Sequence, residues 1–108
     1  MDEQQFRLRC DEAMGDLYKA LVKAADKHEL EVDENAGALT VEFEDPPAKF
    51  VVSPNAPVRQ IWVSALTRSF KLDWNAERAA FVLPESGATL KEMMGTVIGT
   101  QLGETVQL

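Results

Sequence analysis

Phe6, Cys10, Ala13, Met14, Leu17, Leu21 and Ala24, closing on His28, recur at steps of three and four. That spacing lines one face of a 3.6-residue helix. Glu12, Asp16, Lys19, Lys23 and Asp26 fall on the opposite side, so one long amphipathic helix is predicted from about Glu3 to His28. Beyond it the period drops to two. Leu30 and Val32 alternate with Glu29, Glu31 and Asp33, and Leu39, Val41 and Phe43 alternate with Thr40, Glu42 and Glu44. Asn35-Ala36-Gly37 supplies a turn that joins these two strands as a hairpin, and Pro46-Pro47 closes the second.

Further strands are predicted at Lys49 to Ser53, Arg59 to Leu66, Ser69 to Trp74 and Ala79 to Leu83, giving about six in a meander. Thr89-Leu90-Lys91-Glu92 reads as a capping box, and Leu90, Met93, Met94, Val97, Ile98 and Leu102 form the apolar stripe of a second helix that Gly103 stops. Gly95, Gly99 and Gly103 are spaced by four; in a segment too short and polar for a membrane dimer, they predict close packing of helix backbone on another element. Helix, antiparallel strands, helix is the order of an α+β two-layer sandwich, both helices on one face of the sheet. The other face is left for solvent or a partner. At 108 residues the chain suits one domain, residues 1–108, with a single core.

Charge changes this picture. Residues 1–45 hold 13 of the 18 acidic side chains and a net charge of −8, whereas residues 46–108 sum to +1. An acidic surface repels phosphate backbones and anionic lipid, so nucleic acid and membranes are poor partners; cations and basic protein patches are good ones. No apolar run reaches the roughly 20 residues of a membrane span, and the N-terminus has no signal or transit pattern, so a cytoplasmic protein is expected. The lone Cys10 excludes a Cys-rich zinc or iron–sulfur site within one chain.

Two features carry candidate chemistry. The carboxylates Glu29, Glu31 and Asp33 make a row on one strand face. Such rows commonly guard a sheet edge against aggregation; they also offer oxygen ligands to hard cations, with no Cys or His cluster to select zinc or copper. Residues two apart on a strand are roughly 6.6 Å apart, too far to grip one ion tightly, so any such site is weak and hydrated. The second feature is Trp62. If Ile61, Val63 and Ala65 face the helices, Gln60, Trp62 and Ser64 face outward, and an outward Trp marks a docking surface unless neighbouring strands or the C-terminal tail cover it. His28, the only histidine, suits a helix C-terminus better than a metal, and Cys10 suits a buried thiol. No catalytic triad, phosphate-binding loop or HExxH motif is present, so no catalytic residue is expected.

Gly37-Ala38-Leu39-Thr40-Val41-Glu42-Phe43-Glu44, Pro57-Val58-Arg59-Gln60-Ile61-Trp62-Val63-Ser64, Leu72-Asp73-Trp74 and Ser86-Gly87 together resemble, in order, the frataxin family. The closing Gln101-Leu102-Gly103-Glu104-Thr105-Val106 is similar to that of its bacterial, CyaY-type branch. The resemblance implies an α-β sandwich that binds iron (Fe²⁺/Fe³⁺) weakly at its surface. It implies a monomeric accessory protein of iron–sulfur cluster assembly, docking on the cysteine desulfurase and scaffold complex to modulate it, with iron delivery also proposed. By the same resemblance Asp11, Glu29, Glu31 and Asp33 are metal positions; Gln60 and Trp62, with Glu29, Glu31 and Asp33, are partner contacts. Some members have been assigned ferroxidase activity. The chain departs from the family where acids commonly line the first helix: here stand Gly15, Tyr18, Lys19, Val22, Lys23, Ala25 and Lys27. It also has Ser53-Pro54-Asn55 and Phe81 where the family has Asn-Lys-Gln or Asn-Arg-Gln and a second tryptophan. A metal-independent module that regulates a basic partner is therefore the alternative.

Overall fold

The computed structural model describes residues 1–108. Helix α1, Glu3–Ala25, starts from a capping box: Asp2 accepts from the Gln5 amide at 2.8 Å while the Gln5 side chain accepts from the Asp2 amide. Phe6, Cys10, Met14, Leu17, Leu21 and Ala24 are buried along one stripe, as the spacing predicts. Leu17 and Leu21 are wholly enclosed, each worth roughly 1.5–3 kcal/mol of apolar transfer. The helix ends three residues before the predicted His28. There the amides of Lys27 and His28 both turn back to the Ala24 carbonyl, and the chain bends so that Leu30 enters the core.

Six antiparallel strands follow in strict chain order: β1 Glu31–Asn35, β2 Ala38–Glu44, β3 Pro47–Asn55, β4 Gln60–Ala65, β5 Arg68–Asn75 and β6 Ala80–Val82. Two tight turns set the register. Ala36 and Gly37, at φ 54° and 85°, join β1 to β2, and Leu66 and Thr67, at φ 54° and 60°, join β4 to β5. Positive φ at both central residues gives the turn the right-handed twist of its strands. Pro47 opens β3 rather than separating strands, and Pro54 lies within it. Pro54 is tolerated because pairing of β3 with β2 stops at Val52, so its missing N–H leaves no gap in that ladder.

Leu39, Val41, Phe43, Phe50, Val52, Ile61, Val63, Ala65, Leu72 and Phe81 point from the sheet into a single core of 24 residues. Phe6 meets Phe81 edge-on, ring centroids 5.9 Å apart. Helix α2, Leu90–Leu102, supplies Leu90, Met93, Met94, Val97 and Ile98. Its start is the predicted box, Thr89 with Glu92, and the Thr89 backbone amide, then its hydroxyl, holds the exposed Glu92 carboxyl below its usual pKa. Two helices on one face of a six-stranded antiparallel sheet is the predicted α+β sandwich.

Gly103, at φ 71°, ends α2 and sends residues 104–108 back along it. The tail is the element against which the helix glycines pack. A Cβ on Gly95 would stand 2.9 Å from the Val106 carbonyl oxygen, and one on Gly99 2.7 Å from that of Glu104. His28 Nδ1 contacts the Glu104 carboxylate and ties the tail to the end of α1. Gly15, mid-α1, differs: a Cβ there meets nothing within 4 Å. Gly99→Ala should therefore destabilise the protein by about 1–3 kcal/mol through displacement of the tail, whereas Gly15→Ala should stabilise the monomer by up to ~1 kcal/mol through helix propensity. Urea denaturation followed by circular dichroism checks both signs.

Candidate functional site

Since the helices take one face, the register alone decides what the other face presents. Pairing places Glu31 opposite Glu42, and Glu42 opposite Lys49; Asp33 lies opposite Thr40, in line with Val51, Ser64 and Ser69. Glu31, Asp33, Glu42 and Glu44 therefore make an exposed acidic corner on the open face, at the β1 edge. Glu29 precedes β1 and is exposed; the predicted strand from Glu29 to Asp33 is displaced to Glu31–Asn35, because Leu30 drops into the core before pairing begins. Asp11 lies in the helix layer. It lines a cleft of about 550 Å³ with Gly15, Tyr18, Pro54 and Glu34, Glu34 being on the helix side of β1 because its pairing partner Leu39 is a core residue.

The acids thus fall into two sets, and no three carboxylates, thiols or imidazoles converge to hold an ion. The tightest pairing is Glu31 with Glu42, whose Cβ atoms sit at the roughly 5 Å of directly opposed residues, against ~6.6 Å between Glu31 and Asp33. Such an arrangement concentrates a cation with its water shell instead of stripping it. Sequence reasoning left Glu42, Glu44 and Glu34 out of the candidate site. The signal for Glu42 was there: a two-residue turn at Ala36-Gly37 by itself sets Glu31 against Glu42.

Across the sheet, Ile61, Val63 and Ala65 are buried and Trp62 is 37% exposed, so neither neighbouring strands nor the tail cover it. Its ring is fixed by its neighbours. Trp62 Nε1 donates to Gln60 Oε1 at 2.8 Å, and Gln60 Nε2 donates to Asp73 Oδ1 at 2.9 Å. Lys71, directly opposite on β5, sets its ammonium 4.9 Å from the ring centroid. With its polar edge satisfied, what the indole offers is hydrocarbon and π surface held in one orientation. Trp62 is three strands from β1, in line with Asn35 at the far end of that strand from Glu31, so it lies roughly 15 Å or more from the acidic corner at ordinary strand spacing and rise. Asn55, Ser53 and Ser64 flank it with short polar side chains.

The other two single-copy groups are structural. Cys10 is buried in the α1 stripe, and desolvation, with the nearby Asp11 charge, pushes its thiol up to about 12. His28 is half-buried against Glu104.

The chain matches the family model of the frataxin-like domain over residues 1–104. It is similar to the iron-sulfur cluster assembly protein CyaY of Azotobacter vinelandii, 29% identical over 101 residues that cover 92% of this chain and 91% of the relative. The CyaY of Pseudomonas putida strain GB-1 is 32% identical over 76 residues, covering 70% of this chain and 68% of the relative. Among solved structures, a frataxin from Psychromonas ingrahamii aligns with a TM-score of 0.77 at 24% identity, over 99% of this chain and 97% of its own. That likeness is one of fold.

The Cys10 environment has a pH consequence with a defined sign. The thiol ionises near 9 when unfolded and near 12 when folded. Above about pH 9 the unfolded chain loses this proton and the folded one keeps it, so stability falls as pH rises from 9 toward 12. Cys10→Ala should flatten that part of the curve, and iodoacetamide should label wild-type Cys10 only at the rate of opening. Prompt labelling at pH 8 would contradict the buried, protonated thiol.

Proposed function

The chain belongs to the frataxin-like family, and from that premise we propose that it is an accessory protein of iron–sulfur cluster assembly that docks on a cysteine desulfurase and its scaffold. The relatives' names as iron-sulfur cluster assembly proteins support the process. The observation that carries the docking is that the acidic corner and the fixed indole share the face the helices leave open. The reading treats residues 1–108 as one frataxin-like unit acting in the cytoplasm; no helix is long and apolar enough to cross a membrane.

Each half of the face has its own part. Glu31, Asp33, Glu42 and Glu44, with Glu29 beside them, draw Fe²⁺ or Fe³⁺ and basic residues of the desulfurase by long-range charge. Iron here is cargo or signal, held through water by exposed carboxylates. The Trp62 indole, braced by Gln60 and Asp73, supplies the short-range contact that sets the lifetime of the complex. Asp11, with Glu34, forms a second and smaller acidic place on the helix side of the edge. No chemical step is assigned to this chain.

A second reading has its own support: with no three ligand groups converging, the same face serves as a metal-independent docking module. The two readings differ in one experiment. Trp62→Ala should fold normally, since its side chain fills no core space, and should weaken desulfurase binding about thirtyfold or more in calorimetry; unchanged affinity removes the role given to the indole. Replacing Glu31, Asp33 and Glu42 with Gln, Asn and Gln should slow association, reduce its salt dependence and abolish iron-induced NMR broadening of β1 and β2. If the broadening persists at those strands the iron assignment is wrong, and if desulfurase inhibition proceeds identically without iron the metal-independent reading replaces it.

A further inference from the structure

The outward ridge of α1 has no job inside the molecule. Leu8, Tyr18 and Val22 are exposed at 58%, 39% and 41%. Leu8, Gly15 and Val22 are seven residues apart, which keeps them on one slowly drifting ridge, about 20° per heptad, on the side away from the core stripe. Gly15 is costly mid-helix, and a Cβ there would meet only open space, unlike Gly95 and Gly99. The ridge is also uncharged on balance: α1 carries Glu3, Asp11, Glu12 and Asp16 against Arg7, Arg9, Lys19 and Lys23. The acid excess of the chain lies mainly in residues 26–45, so α1 is a long surface on which a second −7 copy can approach with charges of both signs facing it.

The pattern is self-complementary about Gly15. Let two copies of α1 lie antiparallel with a two-fold axis passing at Gly15. A residue before Gly15 then meets one equally far after it in the partner. Leu8 falls opposite Val22. At 100° and 1.5 Å per residue, Glu12 and Lys19 project to one side of the ridge at nearly the same height, and Asp11 and Tyr18 to the other. Each copy therefore offers carboxylate to ammonium and carboxylate to phenol hydroxyl, twice over. Neither Asp11 nor Lys19 takes part in an ion pair within its own chain, and Glu12 is held only by the exposed Arg9 at 3.3 Å. The bare Cα of Gly15 lets the two backbones close at the crossing.

We propose that α1 is a homodimer surface: a second copy of this chain docks antiparallel on the Leu8, Gly15, Val22 ridge, with Glu12 of each copy paired to Lys19 of the other. The inference is argued separately from the iron and desulfurase reading; the two meet only at the cleft that Asp11, Gly15 and Tyr18 line with Glu34. One pair of helices buries less than the roughly 1,200 Å² at which stable interfaces begin, so the dimer is weak and dilute protein is monomeric, as the family resemblance implies.

Sedimentation equilibrium of the full chain at physiological ionic strength, from micromolar to millimolar, tests it. The average mass should rise from 12.0 kDa toward twice that value. Lys19→Glu should weaken self-association roughly tenfold by turning two attractive pairs into repulsive ones, as should Glu12→Lys, and the double variant should restore it. Gly15→Cys should form a disulfide-linked dimer under mild oxidation while Ser64→Cys, on the open sheet face, should not. A mass fixed at the monomer value to millimolar overturns the proposal. So does self-association that ignores the charge swaps, or cross-linking equal at both positions.

Discussion

Everything in this structure depends on the sheet being buried on one side only. Leu39, Val41, Phe43, Phe50, Val52, Ile61, Val63 and Leu72 alternate along four strands and all point at the helices. A slip of one residue in any strand would turn its apolar set into water and its polar set into the core. The turns hold against that slip. Leu66 and Thr67 accept positive φ without glycine, a local cost of order 1–2 kcal/mol per residue that is outweighed by the buried side chains of β4 and β5 together, at roughly 1.5–3 kcal/mol for each large one. Register wins, and the composition of the open face follows from it without further selection by packing.

That face divides by range of force. An acidic corner acts through a field that decays over about 8–10 Å at physiological salt, and the indole lies roughly 15 Å or more off. Trp62 therefore sits at the margin of the corner's field, with its own local charge from Lys71 and Asp73. Arrival and retention of a partner are separable properties here, set by different residues. The acids at the β1 edge also discourage a second sheet from pairing there. Both roles use the same side chains, and neither requires that the carboxylates converge.

Legibility in the sequence followed the range of the contacts involved. Both helices, all six strands and the Thr89–Glu92 capping box depend on residues within a turn or two of each other and were legible, whereas the Asp2–Gln5 box at the start of α1 was not read. Ends were less legible. The helix stops at Ala25 and not His28 because Leu30, five residues on, must reach the core; β3 begins at Pro47 and runs through Pro54 because Pro47 stands at the strand's first position and β2 has already ended its pairing at Val52 when Pro54 is reached. Gly95 and Gly99 announced a close approach, but what approached was the tail, whose position depends on Gly103 and on His28 meeting Glu104 across 76 residues. In the candidate site, the outward direction of Trp62 was readable from the period of two, whereas its bracing by Gln60 and Asp73 required the register. Glu34 was missed because it sits one position off the carboxylate row and so faces the helix layer, beside Asp11.

The three helical glycines separate two kinds of constraint. Gly95 and Gly99 are spent inside the chain, where a methyl group would strike backbone oxygen. Gly15 has no such neighbour, yet it sits at the centre of a ridge with apolar residues at equal distances on either side and with charges of opposite sign beyond it. An isolated helix ridge of that kind has no use for symmetry; a surface that meets itself does. Because the core separates α1 from the open face, pairing through α1 leaves both acidic corners and both indoles unobstructed on the outer sides of the assembly. Asp11 is the exception. It belongs at once to the cleft with Glu34 and to the seam opposite Tyr18 of a second copy, so the two uses of α1 compete at that carboxylate and at Gly15 and Tyr18, which line the same cleft.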